Sequence, residues 1–98
     1  MGKNKMPYVL VRGDRSGVFA GYLKSRDGRE VELVDCRRVW HWEGAASISQ
    51  LAEVGTSSPQ NCKWPIAVSH CYILDAIEVL SVTKTARATF DMVKIWTA

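Results

Sequence analysis

No C-x-x-C pair, no glycine-rich phosphate loop and no long apolar run occurs in this chain, and each gap removes a class of function. The three cysteines, Cys36, Cys62 and Cys71, are odd in number and unpaired in spacing, so neither a disulfide framework nor a four-ligand zinc site from one chain is expected. Cys62, His70 and Cys71 come nearest to a metal cluster. Adjacent His70 and Cys71 would point to opposite faces of a strand, however, and no metal is expected. Gly13 to Gly17 is too short for a Walker or dinucleotide loop and lacks the Lys-Ser/Thr that would follow. His41 and His70 are the only histidines, and neither sits in a triad-like context with a Ser or Cys. An enzyme is therefore disfavoured, no cofactor is implied, and binding is the default.

The basic Met1-Gly2-Lys3-Asn4-Lys5 is followed by no apolar stretch, so neither a secretion signal nor a membrane span is expected. Met6 stands where a myristoylation motif needs Ser or Thr. A reducing cytoplasm follows as the expected setting. Charge of one sign is scarce too: 13 Lys and Arg against 10 Asp and Glu leave +3, spread along the chain. Duplex nucleic acid, which is bound by neutralising many phosphates at once, is a weaker expectation than a small anion. The 98 residues hold one core, read as a loose leader over 1–6 and a single α+β domain over 7–98. So small a domain gains buried area by self-association, and a homo-oligomer with sites near its subunit interfaces would be unsurprising.

What is present reads as an antiparallel meander with two short helices. Tyr8-Val9-Leu10-Val11-Arg12 is a β-branched, apolar first strand, ended by the turn formers Gly13-Asp14-Arg15-Ser16-Gly17. Val18 to Lys24 is a second strand, in which Gly21 suggests a bulge or a close backbone approach. Arg26-Asp27-Gly28-Arg29 is a hairpin turn, and Glu30 to Trp42 a long third strand. Ala45 to Val54 carries Ile48, Leu51 and Ala52 at helical spacing, with Gly55 as its C-cap. Tyr72 to Leu80 reads as one strand with Asp75 an irregularity, Thr83 to Phe90 as a helix capped by Thr83, and Met92 to Trp96 as a closing strand.

The densest chemistry lies in Arg37-Arg38-Val39-Trp40-His41-Trp42-Glu43-Gly44-Ala45-Ala46-Ser47. On a strand through Trp42, side chains alternate, so Arg38, Trp40 and Trp42 share one face while Arg37, Val39 and His41 take the other. Indole rings offer stacking surface and a guanidinium offers a planar fork for phosphate oxygens, a combination suited to a flat anion such as a nucleotide. Each tryptophan has core packing as its competing role. The meander brings Arg12, Arg15 and Phe19 to the same end of the sheet, and the helix after Gly44 would present backbone N–H groups near Ala45 and Ser47. Those eight residues form the expected ligand site.

The runs Val9 to Arg12, Ser16 to Leu23, Cys36 to Ala52 and Asn61-Cys62-Lys63 resemble a family of small phage and prophage proteins, over nearly the whole chain. The chain is also similar to phage sponge proteins that counter Thoeris and CBASS immunity. That resemblance implies a β-rich oligomer in the host cytoplasm that sequesters a cyclic ADP-ribose isomer or cyclic oligonucleotide without cleaving it. Two alternatives stay open: a phage inhibitor or accessory factor that grips a host protein through exposed tryptophans, and single-stranded nucleic acid binding on the same rings.

Overall fold

Short connections decide the topology. Gly17 and Gly28 take φ of 107° and 60°, a left-handed region open to glycine, and each turns the chain straight back on the strand before it. In the computed structural model, which describes residues 5–98, three strands result: β1 (Tyr8–Gly13), β2 (Val18–Asp27) and β3 (Glu30–Arg38). Helix α1 (Ile48–Val54), a 3-10 turn (Pro59–Asn61), β4 (Val68–Ile73), β5 (Ala76–Ser81) and α2 (Lys84–Phe90) follow. The fold is α+β, with one five-stranded antiparallel sheet in the order β4-β3-β2-β1-β5 and two short helices. Of the expected leader, residues 1–4 lie outside those described.

Strands β4 and β5 occupy opposite margins of the sheet, yet only Leu74 and Asp75 separate them in sequence. A flat sheet could not satisfy that tether, so the sheet must curl until its margins approach. Its inner face is accordingly sealed by its own strands. Val9, Val11, Phe19, Val31, Leu33, Cys36, Ile73 and Ala76 form one buried cluster drawn from all five strands, with no helix residue in it. Asp75 pins the closure: its carboxylate accepts from the Arg15 and Ser16 N–H groups at 2.8 and 3.1 Å and from the Ser16 hydroxyl. The Asp75 carbonyl accepts from Asp14 N–H at 2.9 Å. The turn between β1 and β2 is thereby riveted to the turn between β4 and β5.

The outer face is covered by the helices. Leu10 and Ala20 of the sheet meet Leu51, Ala52, Ala86, Phe90 and Trp64 in a second buried cluster. Ser47 caps α1 and Thr83 caps α2, each accepting from the N–H three residues on, at 3.1 and 3.0 Å. Gly55 ends α1 at φ 83° and donates to the Gln50 and Leu51 carbonyls. Arg37, whose sequence position indicated no role, ties this layer down. Its guanidinium lies 5.1 Å from the Trp64 ring and donates to the carbonyls of Phe90, Val93 and Trp64. Burial lowers its pKa without making it neutral in the ordinary range.

Three sequence expectations need correction. The third strand ends at Arg38 instead of Trp42, because its neighbour β2 begins at Val18: Val39 N–H donates to the Val18 carbonyl opposite it, no β2 residue lies beyond, and the chain then crosses to Lys63, bridged at His41. Tyr72 to Leu80 is not one strand but the end of β4 and most of β5, which sit at opposite margins of the sheet and break at Asp75, whose carboxylate holds the neighbouring turn. Residues 92–96 form no strand, only a parallel bridge between Ile95 and Trp64. Gly21 behaves as expected: a Cβ there would lie 3.1 Å from Cys36 Cα, and the β2–β3 register shifts beside it.

Two outcomes follow. Arg37→Ala strands three carbonyls at the helix layer and is expected to cost about 2 kcal/mol in urea unfolding. Arg37→Lys restores little, because one ammonium cannot replace the fork. Asp75 has a pKa below the usual carboxylate value, chiefly through the Ser16 hydroxyl and then the Arg15 N–H. A depressed folded pKa stabilises above the unfolded value, about 3.9, and that contribution is lost as pH falls through the folded one. The stability difference between wild type and Asp75→Ala, followed by urea midpoints from pH 7 down to pH 3, is therefore expected to shrink toward the acid end.

Candidate functional site

The β2–β3 register sets Phe19 directly opposite Arg38, and both face the side away from the helices. Phe19 is buried, with the Arg38 guanidinium 4.6 Å from its ring centre, and Arg38 Nη1 donates to the Ser16 carbonyl at 2.8 Å. Ring and carbonyl together hold this exposed cation in one place. Among the described residues no carboxylate pairs with it, unlike Arg12, which pairs with Glu78 at 2.9 Å, or Arg87, which pairs with Asp91 at 3.1 Å. Beside it opens a cleft of about 200 Å³ lined by Phe19, Cys36, Arg38, Ile66, Val68 and Cys71. The Cys36 thiol in its wall has a raised pKa, through burial and then through neighbouring Cys71, and is a protonated, weakly polar surface at neutral pH.

Of the eight residues expected to share a site, the structure gathers three. Arg38 and Phe19 meet, and Arg15 sits in the turn that Arg38 grips through Ser16. Arg12 lies one β1 position beyond the buried Val11, so it takes the helix side of the sheet, where it is neutralised by Glu78. Trp42 is half-buried in the helix-side cluster, its indole N–H donating to the Ala45 carbonyl at 3.3 Å, and Ala45 packs beside it. Ser47 is occupied in capping the Gln50 N–H, and Gln50 Oε1 accepts from Ala46 N–H at 2.8 Å, so both side chains at this end are spent on the helix's own backbone. The common face of Arg38, Trp40 and Trp42 does not exist, because strand alternation stops at Arg38. Trp40 stands 63 % exposed on an irregular segment and makes no ring contact with Arg38 or Phe19.

Sequence reasoning missed the far wall of the cleft. Ile66, Val68 and Cys71 reach it only through β3–β4 pairing, a long-range contact that no local pattern announces. A second cationic-aromatic group was missed as well. Arg87 lies 3.8 Å from the Tyr8 ring and 5.2 Å from that of Tyr22, and donates to the Tyr22 hydroxyl at 3.1 Å. Burial pushes the Tyr8 phenol up to about 12, which keeps it protonated. This cluster joins α2 to the sheet, and its Tyr8 and Arg87 line a wider groove of about 420 Å³ with Thr83, Lys84 and Asp91. Its arginine is already neutralised by Asp91, so Arg38 remains the cation better placed for an anionic ligand. Among the described residues no group of three or more His, Cys, Asp or Glu is placed to hold a metal, and no helix is long and apolar enough to cross a membrane.

No curated protein and no solved structure matches the chain. A family model does match over residues 6–90, which takes in every strand and both helices. The chain therefore belongs to the family described as a domain of unknown function, DUF6948.

Proposed function

We propose that this protein is a non-catalytic binder of a flat, phosphate-bearing small molecule, gripped at the Arg38 cleft. The resemblance to phage sponges narrows the ligand to a cyclic nucleotide immune signal, a cyclic ADP-ribose isomer or cyclic oligonucleotide, held without cleavage in the host cytoplasm. One observation carries the reading: Arg38 is fixed over Phe19 yet has no carboxylate partner among the described residues, so its charge is available to an incoming anion. A guanidinium already held in position loses little freedom when it binds phosphate.

Size adds a condition. Small-molecule sites span roughly 300–1,000 Å³, and this cleft offers about 200 Å³, enough for one end of a cyclic dinucleotide. Sequestration at nanomolar affinity requires about 12 kcal/mol, and stacking contributes only about 1–3 kcal/mol per base. A second subunit closing over the cleft would supply the rest, in line with an oligomer whose sites lie near its interfaces.

A second reading, a factor that grips a host protein, is favoured by the exposure of Trp40 and Trp96. Single-stranded nucleic acid is less well supported, since Trp40 and Trp42 form no stacking rack. Calorimetry against cyclic dinucleotides, cyclic trinucleotides and cyclic ADP-ribose isomers is expected to find one tight ligand. Arg38→Ala should weaken it at least tenfold, about 1.4 kcal/mol, and Arg12→Ala should leave it unchanged. Silence across the panel, together with a host protein held at one-to-one stoichiometry and released by Trp40→Ala, would replace the first reading with the second.

A further inference from the structure

The two outer strands of the sheet are finished differently. β5 carries Glu78, paired with Arg12, and runs into Val82 and Thr83, whose N–H groups donate to the Tyr8 and Ala52 carbonyls, the latter in α1. β4 has no such protection. Val68-Ser69-His70-Cys71-Tyr72-Ile73 contains no Lys, Arg, Asp, Glu or Pro, and His70 is drawn onto Glu32 of β3 at 3.0 Å. Beyond its ladder with β3, no backbone group of Val68–Ile73 bonds another segment among the described residues. Val68 and Tyr72 are exposed, and exposed Ile66 and Leu74 flank the strand at either end. Soluble proteins ordinarily blunt an open edge with charge, proline or a covering segment.

We infer that β4 is a self-association edge, at which two copies of this chain pair antiparallel about a two-fold axis and join their sheets. An unpaired row of N–H and C=O groups is complementary to an extended strand and to little else. Two-fold antiparallel pairing makes one edge its own complement, and here it brings no Lys, Arg, Asp or Glu of the strand against its copy, because the strand has none. The same pairing through β5 would set two Glu78 carboxylates near each other. Because Val68 and Cys71 belong both to β4 and to the cleft wall, the seam runs beside Arg38 in each copy. The dimer does not depend on what the cleft binds.

Light scattering on the purified chain tests it. Wild type is expected at twice the 11.0 kDa chain mass, and Val68→Lys/Tyr72→Lys at the chain mass with an unchanged circular dichroism spectrum. Ile77→Lys, on exposed β5, should remain dimeric. Hydrogen exchange gives a check without substitution: β4 amides of the wild type should lose protection on dilution, in step with the fall in mass. Wild type at the chain mass at its highest soluble concentration, or a dimer that survives the double lysine variant, overturns the proposal. A monomer that still binds a cyclic nucleotide would remove the dimer and leave the Arg38 reading standing, whereas a dimer silent to the whole panel would do the reverse.

Discussion

Two residues between β4 and β5 constrain everything else. The sheet places those strands at its opposite margins, and a link of Leu74 and Asp75 forces the margins toward each other at one end. The curl that results allows strand residues alone to bury Val11, Leu33 and Cys36 without a covering helix. Both helices are then free to cover the outer face. Asp75 makes the constraint specific: a carboxylate satisfied by two backbone N–H groups and a hydroxyl of the facing turn binds the closed end more tightly than apolar contact alone would.

Adjacent arginines show how the same strand serves stability and binding. Arg37 points to the helix layer, where three carbonyls and the Trp64 ring consume its donors and its cationic face. Arg38, one residue later, points to the other side, where Phe19 and a single carbonyl hold it while leaving its charge uncompensated. Two like residues thus acquire opposite roles from strand alternation alone. Substituting one should unsettle the fold, and substituting the other should not.

Local chemistry made much of this legible in the sequence. The Gly13–Gly17 turn, the Asp27-Gly28 hairpin, the approach permitted by Gly21 and the caps at Ser47, Thr83 and Gly55 each follow from a residue whose backbone preference or side-chain oxygen acts within a few positions. Opposite faces for Arg37 and Arg38 were legible for the same reason. What was hidden depends on distant partners. Strand β3 stops because β2 offers no residue beyond Val18, which takes the Val39 N–H, and the crossing to Lys63 that follows removes Trp40 and Trp42 from the expected face. Asp75 passes for an irregularity in an apolar strand until the facing turn is seen to need its carboxylate. Trp64 is lodged wholly in the core, yet no periodic apolar run around it marks it as buried.

The central claim is that Arg38 and the cleft beside it are the ligand-binding surface. Amide chemical shifts of the isotope-labelled protein, followed as each cyclic nucleotide of the panel is added, test it most directly. The account predicts shifts clustered at residues 16–19, 36–38 and 66–71, saturating with one of the compounds and absent in Arg38→Ala. Saturable shifts confined to the groove of Tyr8, Lys84 and Arg87, or no shifts with any compound, would contradict it.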